Sequence, residues 1–219
     1  MFIIFYFLFF FLFNFSSIFY LPGVAPRDYE TGEQIDMKVM KIDSIKTHLP
    51  YSYYTLPFCQ PDKVQKKSEN IGEVLAGDVI ETLPYDISMK IAEKCKILCR
   101  QSYSAKNLDK FKKFINDDYK IYWSVDNLPA TTKFYSFNQI EERYDTFYEQ
   151  GFHIGHVGGV DTEAHSHDQN NQQKLEQGQV YLNNHVKFYL YYHQAETDTY
   201  DFQYSKGARV VGFEIEPFR

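Results

Sequence analysis

Apolar residues at every second position constrain the fold of this chain more than any other feature of its sequence. A period of two places alternate side chains on opposite faces of an extended strand, which predicts half-buried β-strands. The pattern recurs in five segments, residues 35–39, 85–91, 119–125, 186–192 and 211–215. Several strands of this kind predict a mainly β fold, an antiparallel β-sandwich.

One short helix is predicted to cap an end of this sandwich. Leu108, Phe111 and Ile115 recur at spacings of three and four residues, so they share one face of a helix. Ser104 precedes them and belongs to the residue types that cap helix N-termini. We therefore expect a helix that begins after Ser104 and turns these three apolar side chains towards the core.

The first segment is predicted to be a secretory signal peptide. Residues 2–13 are an unbroken apolar run, followed by Asn14, Ser16 and Ser17. A helix of this length spans about 18 Å, well short of a hydrocarbon core of about 30 Å. We expect a signal peptide over residues 1–17 and one luminal β-rich domain over residues 18–219. An uncleaved signal anchor is the alternative, because residues 18–21 are apolar again and no Lys or Arg precedes the run.

The charge of the chain argues against nucleic acid as a partner. Lys and Arg number 23 against 29 Asp and Glu, a formal net charge of −6. Three lysines cluster, and three aspartates beside them offset their charge, which is typical of a solvated helix face. The lysines are Lys110, Lys112 and Lys113, and the aspartates are Asp109, Asp117 and Asp118. Nucleic-acid binding needs basic residues gathered on one surface.

Five residues are candidate metal ligands. Imidazole and carboxylate groups suit zinc or copper, and they occur here within a short stretch, as His153, His156, His165, His167 and Asp168. Their spacing matches no closed structural metal site, so a solvated loop is the favoured interpretation. We expect no bound metal and no cofactor.

Two further groups of residues have a structural and a functional interpretation. Glu73 and Asp78 are either turn residues or a carboxylate pair for catalysis or calcium, and turn chemistry is favoured. Tyr51, Tyr53, Tyr54 and Phe58 are either core residues or an exposed platform for a ligand, and core packing is favoured. No nucleophile motif occurs, so we predict no catalytic residue.

Long phrases of the chain resemble the nonaspanin family, the transmembrane 9 superfamily. They include Leu49-Pro-Tyr-Ser-Tyr-Tyr-Thr-Leu-Pro-Phe-Cys59, Glu69-Asn-Ile-Gly-Glu-Val-Leu-Ala-Gly-Asp78, Val125-Asp-Asn-Leu-Pro129 and Gly207-Ala-Arg-Val-Val-Gly-Phe-Glu-Ile-Glu-Pro217. The residues that match the family motifs are Pro50, Tyr51, Tyr54, Leu56, Pro57, Phe58, Gly72, Glu73, Gly77, Asp78, Pro84, Tyr85, Asp126, Asn127, Pro129, Glu216 and Pro217. Cys95 and the phrase from Gly151 to Gly155 look most like the subgroup with a longer luminal domain.

The resemblance implies a luminal recognition domain, without enzyme activity, of a membrane protein in the Golgi, endosome or plasma membrane. Family members continue into nine membrane-spanning helices, which this chain lacks, and they act in sorting and surface delivery of other membrane proteins. The implied partners are membrane-protein cargo or the family's own membrane domain. The alternative is a secreted β-sandwich that binds a carbohydrate or another small ligand.

The resemblance also implies one disulfide. The cysteines are Cys59, Cys95 and Cys99, so at least one has no partner within the chain. Much of the family resembles this sequence at Cys59 and Cys99 but has no cysteine that matches Cys95. The implied bridge is therefore Cys59–Cys99.

Overall fold

The computed structural model describes residues 27–67, 75, 78–139, 141–158, 177–194 and 207–218. The predicted signal peptide lies outside these ranges. Within them the strands are β1 (Asp28–Tyr29), β2 (Gln34–Ile35), β3 (Met37–Asp43), β4 (Lys66–Lys67), β5 (Ile80–Thr82), β6 (Ile87–Ser88), β7 (Lys120–Val125), β8 (Leu128–Pro129), β9 (Thr131–Asn138), β10 (Arg143–Gln150), β11 (Phe152–His153), β12 (Gly155–Val157), β13 (Val180–Leu182), β14 (Val186–Gln194) and β15 (Ala208–Pro217). Helix α1 covers Ala105–Asn116, and a 3-10 turn covers Tyr53–Thr55.

One of the two larger sheets is built around β3 and β7, and is called the β7 sheet. Its strand order is β11-β7-β3-β5-β4, and β8 forms a hairpin with β7. The antiparallel register sets Met37 opposite Val125, Val39 opposite Trp123 and Ile42 opposite Ile121. These apolar pairs are buried on one face of the sheet, whereas Lys38 and Tyr122 lie on the other face. The alternation seen in the sequence therefore separates the core face from the outer face.

The second large sheet has β15 at its centre and is called the β15 sheet. β14 pairs with β15 along the whole strand, and β1 pairs with its first residues. β9 lies beside the last part of β15 and runs parallel to it, with Glu214 opposite Thr131. β9 then pairs with β10 in a long antiparallel hairpin. The prediction of a mainly β fold is confirmed, but the β9–β15 contact is parallel and not antiparallel.

The two sheets share one hydrophobic core, and Trp123 lies at its centre. Trp123 is 2% exposed. Its ring stacks on Phe152 of β11 at 5.6 Å and meets Phe188 of β14 edge-on at 5.7 Å. Tyr53 and Tyr85 approach the same ring edge-on at 6.4 and 5.6 Å. One tryptophan side chain thus contacts residues of both sheets and of the loops between them.

Three of the five segments with period two form single strands, residues 35–39 divide between β2 and β3, and one segment is mostly not a strand. Within residues 85–91 only Ile87 and Ser88 are in a strand. Tyr85 packs into the core beside Trp123, and Met89 exchanges backbone hydrogen bonds with Gly32 and Glu33. Lys90 has a φ of 62°, which ends the extended conformation. The predicted strand was therefore wrong over most of its length.

Helix α1 covers the predicted segment, but its buried face differs from the predicted one. Phe111, Phe114 and Ile115 are buried, whereas Leu108 is 53% exposed. Leu108 lies in the first turns, and the core contacts begin one turn later. Ser104 occupies the N-cap position, yet its side chain makes no capping hydrogen bond; only its backbone carbonyl accepts from Asn107 and Leu108.

Gly155 allows α1 to pack closely on the β12–β13 hairpin. A Cβ atom built on Gly155 would lie 2.1 Å from the Tyr181 carbonyl oxygen and 2.5 Å from Cδ1 of Ile115. Any side chain at this position would therefore force the helix and hairpin apart. Among the residues described, no helix is both long and apolar enough to cross a membrane.

The structure contains the disulfide that the family resemblance implied. Cys59 and Cys99 are joined, with their Cα atoms 5.9 Å apart, and Cys95 is an exposed free thiol. The bridge ties the segment after the 3-10 turn to the chain that precedes α1. Between Ile91 and Ser104 this chain has no strand or helix, so the bridge is its main covalent anchor to the core.

Substitution of the bridged cysteines should destabilise the domain much more than substitution of Cys95. The bridge closes a loop across a sequence separation of 40 residues. In the chain-entropy model such a loop contributes about 4 kcal/mol to the free energy of unfolding. Cys59→Ser and Cys99→Ser should each lose most of this amount in denaturant titrations, whereas Cys95→Ser should lose little. Equal losses for all three variants, or a peptide map that joins Cys59 to Cys95, would refute this assignment.

Candidate functional site

The aromatic run that the sequence offered as a ligand platform lies mostly in the core. Tyr53 is 3% exposed and stacks on Phe58 with ring centroids 4.5 Å apart. The Tyr54 hydroxyl donates to the carbonyl oxygen of Thr82 at 2.7 Å. Burial raises the pKa of the Tyr53 hydroxyl well above its usual value. Only Tyr51 is open to solvent, at 37%, and its ring contacts Phe114 at 5.2 Å.

Asp126 and Asn127 form the tight turn between β7 and β8. Val125 pairs with Leu128, so the loop has two residues, and their φ angles are 49° and 63°. A positive φ at both positions is the type I′ geometry that favours Asp and Asn. The Tyr29 hydroxyl donates to Asp126 Oδ1 at 2.7 Å and ties β1 to this turn. These two motif residues therefore have a structural explanation in the hairpin.

The other motif residues divide between the core and the surface. Leu56 is fully buried, and Pro57, Phe58, Pro84 and Tyr85 are half-buried beside it. Pro50, Pro129 and Glu216 are exposed, and Pro217 ends β15. Gly72, Glu73 and Gly77 lie outside the described residues.

Asp78 borders a cleft on the outer face of the β7 sheet. Its Oδ1 atom lies 2.9 Å from Lys41 Nζ, and the carboxylate is almost completely buried. The cleft has a volume of about 470 Å³ and is lined partly by Lys38, Asp43 and Tyr122. The Lys41 ammonium balances the Asp78 charge, so the structure holds this carboxylate in an ion pair. Glu73, the other residue of the predicted pair, lies outside the described residues.

His153 joins a network of charged groups where α1, β10 and β11 meet. Its Nδ1 atom lies 3.0 Å from Asp118 Oδ1, and its Nε2 atom lies 3.5 Å from Glu149 Oε2. Glu149 also pairs with the buried ammonium of Lys120. The hydrogen bond with His153 is the main cause that lowers the pKa of Asp118. His153 therefore links the end of the helix to the β9–β10 hairpin.

His156 lies apart from this network. Its ring stacks on Tyr181 at 5.3 Å, and Nδ1 is 3.1 Å from Asn183 Oδ1. In the part of the chain that the structure describes, no group of three or more His, Cys, Asp or Glu residues is arranged to hold a metal ion. The remaining candidate ligands lie outside it: His165, His167 and Asp168.

The outer face of the β15 sheet carries a band of aromatic side chains that the sequence analysis missed. The register places Phe137 opposite Tyr144, Tyr135 opposite Thr146 and Lys133 opposite Tyr148 on this face. Through the Glu214–Thr131 pair the band continues onto β14. We call it the aromatic face, and it consists of Tyr135, Phe137, Tyr144, Tyr148, Tyr189 and Tyr191.

Most of these rings are open to solvent. Tyr148 is 60% exposed, Phe137 and Tyr191 are each 51% exposed, and Tyr144 is 48% exposed. The sequences of β9 and β10 do not alternate regularly between apolar and polar residues. Phe134 and Phe147 lie on the opposite face of the hairpin, where their rings stack at 5.4 Å. Aromatic residues on both faces hide the alternation from which strands are predicted.

Charged groups within the aromatic face orient its rings. The Tyr191 hydroxyl donates to Glu214 Oε2 at 3.0 Å, and the Tyr189 hydroxyl donates to Glu216 Oε2 at 2.8 Å. The Glu216 carboxylate, together with burial, raises the pKa of Tyr189 to about 12. These hydroxyls remain neutral donors at physiological pH, so the face offers ring surface with fixed polar edges. Tyrosine-rich surfaces of this kind suit contact with another protein.

Replacement of His153 should make the free energy of unfolding depend less on pH in the acidic range. A carboxyl group whose pKa is lowered by folding stabilises the protein above its unfolded pKa, and this stability is lost as the pH falls through the folded pKa. His153→Gln removes the partner that lowers the pKa of Asp118, so the Asp118 carboxyl carbon should titrate at higher pH in NMR spectra. The stability difference between the two proteins should shrink below about pH 4. An unchanged Asp118 titration would contradict this role of His153.

The chain is similar to known proteins over almost its entire length. The sequence model of the endomembrane protein 70 family matches residues 50–219. Transmembrane 9 superfamily member 9 of Arabidopsis thaliana is 40% identical over 201 residues, which is 91% of this chain and 28% of that protein. Member 4 of Homo sapiens is 34% identical over 212 residues, 92% of this chain and 30% of that protein.

Member 2 of Mus musculus is 33% identical over 217 residues, 92% of this chain and 31% of that protein. The chain thus spans less than a third of the length of these relatives. No solved structure matches it significantly. The family match and these relatives agree with the motif phrases of residues 49–78 and 207–217. The chain belongs to the endomembrane protein 70 family, that is, to the transmembrane 9 superfamily.

Proposed function

We propose that this chain is the luminal recognition domain of an endomembrane protein that takes part in sorting and surface delivery of other membrane proteins. Family membership supports a membrane protein of the endomembrane system. The aromatic face is the single observation that carries the recognition role. Its partner is the luminal part of a membrane-protein cargo or the membrane domain that accompanies this domain in full-length family members.

The disulfide supports the luminal side of the membrane. Bridges such as Cys59–Cys99 persist in oxidising compartments and are rare in the cytosol. The compartments that fit are the Golgi, the endosome and the outer side of the plasma membrane. The free thiol of Cys95 adds no information on location.

The exposed rings support binding of a protein surface. Scattered apolar residues are common on soluble domains, but contiguous patches mark interaction sites. Tyr148 and Tyr191 are each at least half exposed, and Glu214 and Lys133 beside them supply polar groups within the patch. Tyrosine is enriched at protein interfaces because it contributes large area at a small cost in side-chain entropy.

Recognition is supported over catalysis by the way in which the candidate reactive groups are held. Asp78 pairs with Lys41, and His153 lies between the carboxylates of Asp118 and Glu149. These ion pairs give Asp78 and His153 a structural explanation that needs no catalytic role. The platform at residues 51–58, on which the carbohydrate-binding alternative depended, is largely buried.

A competition experiment in cells tests this proposal. The chain is expressed through the secretory pathway in cells with their own family members, and plasma-membrane proteins are quantified by surface biotinylation. The wild-type chain should compete for cargo and lower the surface level of a subset of membrane proteins. A variant with Tyr148→Ala and Tyr191→Ala should not compete.

The control variant carries Ile45→Ala, a change of an exposed apolar residue away from the aromatic face that should leave competition unchanged. Both variants must reach the lumen with the Cys59–Cys99 bridge formed. If the double tyrosine variant lowers surface levels as strongly as the wild type, the aromatic face is not the recognition surface.

A further inference from the structure

Strand β10 is an open edge of the β15 sheet. It pairs with β9 along its whole length and, among the residues that the structure describes, with no other strand. The outer side of an edge strand presents a row of backbone N–H and C=O groups that can pair with another strand. Six of the eight residues of β10 are exposed, so its side chains leave this row accessible.

Several features by which proteins block an edge strand are missing from β10, although it carries the charged residues Arg143, Asp145 and Glu149. Such strands are commonly short, or contain Pro, Lys or a β-bulge. β10 is eight residues long, contains neither Pro nor Lys, and keeps an unbroken register with β9. The other long edge strand, β14, contains Lys187 and has a register shift at Tyr191–Tyr192. β10 is thus the edge better suited to strand addition.

The sequence of β10 is complementary to itself in one two-fold register. If two antiparallel copies meet with Thr146 opposite Thr146, then Arg143 lies opposite Glu149 and Tyr144 lies opposite Tyr148. Opposite charges, paired aromatic rings and paired threonines are each favourable across antiparallel strands. Because the pairing is isologous, the charge pair and the aromatic pair both occur twice.

Neighbouring two-fold registers are electrostatically worse. With the axis at Phe147, Asp145 would face Glu149, and with the axis at Asp145 this residue would face its own copy. Like charges directly opposite destabilise a strand pair. Arg143 is 65% exposed at its side chain, where it contacts Glu141 and Asp145, so it can reach a second carboxylate. Glu149, which already pairs with Lys120 and His153, is held in place to accept it.

From this complementarity we propose that two copies of this chain associate through their β10 strands, antiparallel and with the two-fold axis at Thr146. The two β15 sheets then form one continuous sheet. The aromatic faces of the copies become adjacent, with Tyr144 and Tyr148 of each chain at the junction. The contact is one strand pair per dimer, a small interface of the kind that gives weak, concentration-dependent association.

Substitutions at the axis give a test that depends on this register. Thr146→Lys places two lysines opposite each other, and Thr146→Asp places two aspartates opposite each other. In sedimentation velocity of the whole purified chain over about 1–200 μM, the wild type should form dimers. Each variant alone should raise the dimer dissociation constant by more than about tenfold. An equimolar mixture of the two variants should restore dimers, because Lys then faces Asp.

Ser136→Lys is the matched control, since Ser136 is exposed on β9 but does not lie on the edge. It should dimerise like the wild type. A wild type that stays monomeric over the whole range overturns the proposal, as do Thr146 variants that dimerise like the wild type.

A crosslinking experiment tests the same strand register if a charged variant folds poorly. In a Cys95→Ser background, Thr146→Cys should form an intermolecular disulfide on mild oxidation, because residues opposite each other across the axis have Cβ atoms about 5 Å apart. Ser136→Cys in the same background should not form one. Absence of the crosslink from folded Thr146→Cys protein contradicts the proposed pairing. Neither experiment involves cargo, so their outcome is independent of the proposed function.

Discussion

The contacts of one buried ring, that of Trp123, hold the two sheets together. The indole lies on β7 and meets Phe152 of its own sheet, Phe188 of the other sheet and two tyrosines from the connecting segments. Phe188 in turn contacts Phe213 on the central strand β15. Aromatic pairs add specific geometry to the area that they bury. Because both sheets direct their aromatic residues to one point, neither has a separate core.

Because the two sheets bury their inner faces in this shared core, their outer faces remain at the surface and carry different residues. On the β7 sheet the outer face carries Lys38, Lys41 and Asp78 around a cleft. On the β15 sheet the outer face is rich in tyrosine, and its hydroxyls are fixed by Glu214 and Glu216. Exposed large apolar side chains occur in several places, such as Ile45 and Ile97, but the side where recognition is proposed gathers exposed rings next to the open edge of β10.

The sequence predicted those parts of the fold in which burial is one-sided. β14 and β15 have one face in the core and one largely in solvent, and their period of two is clear. β7 shows the same period in its sequence, although Lys120 and Ser124 on its other face are also buried. The pattern misled at residues 85–91, where tertiary packing of Tyr85 and Met89 replaces a strand. It was absent at β9 and β10, where Phe134 and Phe147 lie on the face opposite Phe137 and Tyr144. Leu108 shows the same limit in helix α1. Periodicity predicts which side chains share a face of the helix, but not the turn at which contacts with the core begin.

The contacts of the candidate site residues were harder to predict from the sequence than the fold. Their partners lie far away along the chain. His153 is near His156 in sequence, yet their partners are Asp118 and Asn183, which no local spacing indicates. The aromatic face joins two hairpins that are far apart along the chain, so only the sheet register brings its rings together. The disulfide was predictable because a family resemblance supplied the pairing that three cysteines alone left open.

Native-state hydrogen exchange of backbone amides tests most directly whether the two sheets share one core. If they do, amides of β3 and β7 and amides of β14 and β15 should exchange only through global unfolding, with the same free energy of opening. The distal part of the β9–β10 hairpin should open at lower free energy. An opening of β14 and β15 that is easier than that of β3 and β7 by more than about 2 kcal/mol would show two separate units and contradict the shared core.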